Sequence, residues 1–288
     1  MNIIELQNRF STQRKCEEFL RRKRWPNGVT CPRCGTAHPY WIRTRHVWRC
    51  KSCSYEFSVT AGTIFHRSRT PLQKWFTAIW LMVNSKKGIS AKQLERSLGV
   101  TYKTAWRMAM QIRQTMRPGY GFEDKLAGIV EADDTYVGGK RSGGKRGRGA
   151  PGKEIVVGMI ERGGNAVAKV VQNLSAETLR PLLDTYVSLD AELLCTDEHK
   201  GYRKAAEGFP HRTVCHAQTF VKGNVHTMGI ESFWSLFKRA IIGVYHRVSA
   251  KYLQAYLNEF VFRFNHRHDP DLFDVVLVRA GHLHGQLA

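Results

Sequence analysis

Four cysteines constrain this chain more than any other feature. They form two pairs, Cys31-Pro-Arg-Cys34 and Cys50-Lys-Ser-Cys53, with 15 residues between them. A CxxC turn aims two thiolates at one point, and two such turns complete a tetrahedral cage for Zn²⁺. Protein supplies all four ligands and leaves no open position, so the predicted site is structural rather than catalytic. Between the pairs, Tyr40 to Arg49 reads as short strands with outward basic residues. Two disulfides are the competing reading, which an intracellular chain disfavours. Cys16, Cys195 and Cys215 have no comparable spacing and read as small buried thiols.

Charge narrows the partner. The 45 Lys and Arg exceed the 24 Asp and Glu, for a net +21. Such an imbalance speaks about partners rather than fold, and the first expectation is a nucleic acid. The longest nearly apolar run, Trp75 to Val83, is far short of the roughly 20 residues a membrane span needs. The first ten residues lack the apolar segment of a secretory signal, so a soluble, intracellular chain is expected.

After the cysteines, Thr70-Pro71 opens a helix, and Ser90 and Thr101 cap two more. Leu94 and Leu98 share a face of the first capped helix; Ala105, Ala109 and Ile112 share a face of the second. Two helices joined by the short turn Gly99-Val100-Thr101 are a helix-turn-helix pattern. The second helix of that motif presents its N-terminal residues to base edges, here Tyr102, Lys103 and Arg107.

The second half changes character. Ala127 to Val137, Ile155 to Glu161 and Ala166 to Gln172 read as three strands, followed by a helix from Ser175 to Tyr186. A fourth strand runs from Ala191 to Thr196, a fifth is expected near Thr213 to His216, and helices follow near 230–242 and 250–264. Three strands, a helix, a strand and further helices is the ribonuclease-H-like order, an α/β fold with a mixed sheet. Between the first two strands, Gly138 to Lys153 carries six basic residues and no acid. Lys140, Arg141, Lys145, Arg146 and Arg148 there are expected to clamp a phosphate backbone. The predicted domains are 1–66 (N-terminal helix and zinc ribbon), 67–120 (helix-turn-helix) and 121–288 (catalytic).

In so basic a chain the acids stand out. Asp133 sits inside an apolar strand, where a carboxylate is costly unless paired or bound to metal. Asp197 ends another strand, and Glu231 opens a helix with Lys238 two turns further on the same side. Carboxylates converging from strand ends and a nearby helix are what two-metal phosphoryl transfer requires. Glu131, on the same face as Asp133, is the main rival. Asp134 faces the other way and reads as a surface or turn acid. His216 and His226 flank the approach to Glu231 as phosphate contacts or structural histidines, and Arg263, Asn265, His266 and Arg267 are candidates for a DNA-facing edge.

Several of these segments, in order, resemble the bacterial insertion-sequence transposases of family 1595. The similar stretches are Cys31 to Gly35, Cys50 to Cys53, Thr60 to Phe65, Glu131 to Gly139, Thr196 to Tyr202, His226 to Arg239 and Phe262 to Arg267. One position departs: family members commonly carry Asn after the His-Thr pair, and Met228 stands there. The resemblance implies a DDE-type transposase. Asp133, Asp197 and Glu231 would bind Mg²⁺ or Mn²⁺, with Lys238 as the accompanying base and Zn²⁺ in the ribbon. It also implies double-stranded DNA as partner, a homo-oligomer holding two element ends, and a bacterial cytoplasmic, nucleoid-associated location. A DNA-binding regulator without catalysis and a metal-dependent nuclease that cuts without joining are the alternatives.

Overall fold

The computed structural model describes residues 1–118, 125–138, 153–214 and 224–282. It divides into two units, Met1–Met116 with the segment from Asp269 onward, and Arg117–His268.

In the first unit, helices α1 (Ile3–Arg9) and α2 (Gln13–Arg24) start on Asn2 and Thr12, whose side chains accept from backbone N–H groups of the first turn. Strands β1 (Tyr40–Ile42), β2 (Val47–Arg49) and β3 (Glu56–Phe57) form a small antiparallel sheet. Then come α3 (Leu72–Asn84), α4 (Ala91–Leu98) and α5 (Tyr102–Thr115). Ser90 accepts from the Gln93 N–H and Thr101 from the Thr104 N–H, so both predicted caps form. Leu94, Leu98, Ala105, Ala109 and Ile112 are all buried, as their spacing predicts.

The last helix, Leu272–His282, falls within the predicted catalytic domain by chain order but packs in this first unit against α2, α3 and α5. Its stripe of Phe273, Val276, Leu277 and Ala280 is buried there. The Phe273 ring lies 6.1 Å from Phe10 and 6.5 Å from Phe76, and Arg9 forks onto Asp274 at 3.3 and 3.2 Å. An apolar stripe goes wherever a complementary face exists, and chain order does not decide where that is.

The second unit holds β4 (Ile129–Val137), β5 (Glu154–Glu161), β6 (Ala166–Val171), α6 (Ala176–Tyr186), β7 (Leu193–Asp197), α7 (Lys200–Ala205), β8 (His211–Val214), α8 (Met228–Ala240) and α9 (Ala250–Asn265). The strand order is β6-β5-β4-β7-β8. β4, β5 and β6 pair antiparallel, while β7 runs parallel to β4 and β8 parallel to β7. A meander of three strands extended by parallel crossovers beside the first is the ribonuclease-H-like topology. Helix α7 carries no apolar repeat long enough to announce itself in the sequence. Cys215 and His216, expected in the fifth strand, lie outside the described residues.

Both faces of this sheet are covered. Val130, Ala132, Val157 and Met159 pack with Leu179 and Leu183 of α6 on one side. Val156 and Ile160 pack with Ile230, Phe233, Trp234 and Phe237 of α8 and with Leu253 and Leu257 of α9 on the other.

The edge strand β6 is closed by side chains of α9. Asn265 accepts from the Ala166 N–H at 2.8 Å and donates to its carbonyl at 3.0 Å. Gln254 accepts from the Val170 N–H at 2.8 Å and donates to the Ala168 carbonyl at 3.1 Å. Open strand edges invite pairing with other chains, and two amides occupy this one. Asn265, a sequence candidate for a DNA-facing edge, therefore secures the sheet, and Arg267 donates to the Gly163, Gly164 and Phe264 carbonyls. Asn265→Ala should cost about 1–3 kcal/mol by leaving the Ala166 groups unmet, read as a lowered thermal midpoint with concentration-dependent association.

Candidate metal centres and nucleic-acid surface

The four cysteines of the ribbon converge. Their sulfurs all lie within 4.8 Å of one another. Cys31 Sγ is 3.7 Å from Cys53 Sγ, and Cys34 Sγ is 3.5 Å from Cys50 Sγ. A tetrahedral zinc with Zn–S bonds near 2.3 Å separates its sulfurs by about 3.8 Å, so this donor set fits Zn²⁺. The Thr36 hydroxyl, and then its backbone N–H, pull the Cys34 thiol down to about 6. That favours the thiolate a metal binds. Around the thiols, Phe57 and Ala61 are buried and Trp25, Trp48 and Tyr55 pack against them.

A second cluster forms where the middle of β4 lies beside the carboxyl end of the parallel strand β7. The β4–β7 register pairs Ala132 with Thr196, which sets Asp133 beside Asp197 one step on. Carboxylate oxygens of Asp133, Asp134 and Asp197 come within 4.8 Å of one another. Burial, then the charges of Asp134, Asp197 and Glu231, push the Asp133 carboxyl up from 3.8 to about 7. Three carboxylates crowded at a strand end fit hard divalent cations, which take oxygen ligands. Asp197 also accepts from the His199 N–H at 3.0 Å, which ties the start of α7 to this end of the sheet.

Asp134 corrects the sequence reading. Alternation does put it on the opposite face from Asp133, with Val130 and Ala132. That face is not solvent: α6 covers it, Asp134 is 8% exposed, and its carboxylate joins the cluster. The signal was available in the second face's apolar residues, which mark a sheet buried on both sides.

Glu231 lies in the first turn of α8, exposed, and accepts from the Thr227 hydroxyl at 2.8 Å. It stands outside the close trio, yet its charge reaches Asp133. Lys238 is exposed on the same helix, as its two-turn spacing from Glu231 requires. Glu131, the rival acid, is fully buried and committed elsewhere. It accepts from Arg162 Nε at 2.7 Å and from the Ile230 N–H at 3.0 Å. Sequence reasoning missed Arg162 altogether, because a lone arginine at a hairpin turn carries no pattern. His226 Nδ1 sits 3.3 Å from Glu131, and His216 lies outside the described residues.

On α5, Tyr102, Lys103 and Arg107 are exposed on the side away from the buried Ala105, Met108 and Ala109. This is the geometry in which a helix start can face a groove. Lys140, Arg141, Lys145, Arg146 and Arg148 lie outside the described residues. Among the described residues, no helix is long and apolar enough to cross a membrane.

Residues 125–265 match the ISXO2-like transposase domain of the IS1595 group, and residues 11–56 match its transposase zinc-ribbon domain. The chain belongs to the IS1595 transposase family. A relative from Halobacterium salinarum, described as an uncharacterized protein in transposable element ISH50, is 28% identical over 274 residues, spanning 88% of this chain and 91% of its own length. Among solved structures, the Mos1 strand transfer complex is 11% identical, covers 72% of this chain and 74% of that one, and superposes with a TM-score of 0.31. The Mos1 paired-end complex with the left transposon end is 13% identical, covers 73% and 80%, and gives 0.29. Overlaps that loose transfer no geometry, so the IS1595 assignment rests on the two domain matches, and the acid cluster falls inside the larger one.

Proposed function

We propose that the chain binds the terminal inverted repeats of an insertion sequence, cleaves DNA there, and joins the freed 3′ ends to target DNA. The observation that carries this reading is the convergence of Asp133, Asp134 and Asp197 within 4.8 Å, where the middle of β4 meets the end of β7. Divalent cations bound there, Mg²⁺ or Mn²⁺, supply activation of the attacking oxygen and stabilisation of the leaving one. Asp133 and Asp197 are the two acids that neighbouring strands hold in fixed register, Asp134 adds a third carboxylate, and Glu231 is offered from α8. Lys238, two turns on, presents a cation suited to a phosphate beside the reacting one. Both steps are in-line displacements at phosphorus, so the residues act by positioning DNA and holding charge. Holding two element ends together requires more than one active site, hence a homo-oligomer. Action on DNA in a bacterium implies a cytoplasmic chain working at the nucleoid.

The exposed start of α5 supplies groove contacts, and the segment containing Lys140, Arg141, Lys145, Arg146 and Arg148 supplies a backbone clamp. If Lys103 and Arg107 meet phosphates, the double variant Lys103→Ala/Arg107→Ala should flatten the dependence of log affinity on log salt by about 0.9 for each phosphate no longer neutralised. Filter binding across a salt series checks it, and an unchanged slope would remove α5 from the backbone-binding surface.

The test of function is an incubation with Mg²⁺ and DNA carrying the element's terminal repeats. Cleavage with joined products is expected. Cutting without joining would leave a metal-dependent nuclease, and binding without cutting would leave a regulator.

A further inference from the structure

Helix α8, which carries Glu231, lacks a cap of its own. Its N-cap residue Thr227 makes no side-chain cap hydrogen bond and instead gives its hydroxyl to Glu231. A helix start leaves N–H groups in need of an acceptor and favours negative charge. Glu131 meets both needs from a different element. Its Oε2 accepts from the Ile230 N–H at 3.0 Å, one residue before Glu231. Its Oε1 accepts from Arg162 Nε at 2.7 Å, and Arg162 also donates to the His226 carbonyl at 3.1 Å, just ahead of the helix. The carboxylate presses so closely on the first turn that a Cβ at Gly229 would lie 2.9 Å from Oε2. One turn later, Trp234 lies over Gly158 of β5, which pairs with Asp133 and has no room for a side chain beneath that ring.

We propose that Glu131 is a positioning residue: a buried carboxylate, held by Arg162, that caps α8 from the catalytic strand and so sets the distance of Glu231 from Asp133. Glu131 and Asp133 are two residues apart on β4 and share a face, so cap and acid belong to one rigid element. The chain thereby fixes one acid through another without using Glu131 as a metal ligand. This inference rests on the metal-site reading above.

Glu131→Gln keeps the shape but removes the charge that both Arg162 and the helix start face. Gly229→Ala leaves Glu131 intact and drives its carboxylate off the first turn. Each should raise the Mn²⁺ concentration for half-maximal cleavage by about 10–100-fold, the usual effect of disturbing a residue that orients a ligand. The KM for terminal-repeat DNA should stay within about twofold, because neither residue is among the proposed DNA contacts. Mn²⁺ titration followed by electron paramagnetic resonance, with Asp133→Asn as the blank, should show the same weakening without catalysis. The double variant should be no worse than the poorer single one, because both break the same cap. Unchanged Mn²⁺ affinity in both variants would overturn the proposal. So would complete loss of Mn²⁺ binding in Glu131→Gln with no change in Gly229→Ala, since Glu131 would then be a ligand itself. If Glu131→Gln does not fold, Gly229→Ala decides alone. If the wild type binds no Mn²⁺ above the blank, it is the metal-site reading that fails.

Discussion

Asp133→Asn is expected to end cleavage and joining while leaving DNA binding intact. Asp133 faces Asp197 across the β4–β7 register, with burial and three neighbouring acids holding its carboxyl up to about 7. A group in that position destabilises the fold less when neutral than when charged. The substitution should therefore preserve or slightly raise the thermal midpoint. Its effect on rate should be the opposite, a drop of about a thousandfold or more, roughly 4 kcal/mol of transition-state stabilisation. Asp197→Asn should match it. Gel-shift affinity beside a cleavage time course separates the two effects. A variant that binds normally, melts normally and does not cut marks Asp133 as chemistry rather than scaffold. One that cuts at the wild-type rate removes Asp133 from the site.

Stripping the zinc site should produce the largest structural effect in the chain. The ribbon's strands are three, three and two residues long, and its buried core comprises Cys31, Cys50, Phe57 and Ala61. So few apolar groups cannot offset the entropy of ordering the segment. Zinc bound by four thiolates contributes about 10–16 kcal/mol of apparent binding energy in small zinc folds, which makes folding of the ribbon conditional on metal. A strong chelator, or the pair Cys34→Ser/Cys53→Ser, should unfold residues 31–57 and leave the mixed sheet of the second unit in place. The Trp48 ring lies 5.5 Å from Trp25 and 4.5 Å from Trp41, so tryptophan emission should shift to the red as this cluster opens to water. Hydrogen exchange should lose protection in the ribbon alone. An unaltered spectrum after metal removal would show that the thiols do not hold a structural ion.

The parts legible in the sequence are those written in local spacing. The CxxC pairs, the caps Ser90 and Thr101, and the helix-turn-helix faces need only a few neighbouring residues, and each forms as its spacing predicts. The succession of strands and helices in the second unit is legible because apolar alternation and turn residues are local too. What stays hidden depends on residues distant in sequence. Glu131 reads as a rival metal ligand because its partners, Arg162 and the Ile230 N–H, stand 31 and 99 residues away. Asp134 reads as solvent-facing although Val130 and Ala132 already mark that side of β4 as buried; which element covers it, α6, is the part that is not local. The helix Leu272–His282 follows the catalytic half in chain order, while its stripe finds its complement at Phe10 and Phe76. Asn265 reads as a ligand contact, and only the position of β6 at the sheet edge shows what its amide is for.

The expected chemistry is that Asp133, in the middle of β4, and Asp197, at the end of β7, hold divalent cations for phosphoryl transfer. Anomalous diffraction from crystals of the full chain soaked in Mn²⁺ tests it directly. A peak coordinated by both Asp133 and Asp197 is expected. A peak elsewhere, or none at that strand end while Mn²⁺-dependent cleavage proceeds in solution, would contradict it.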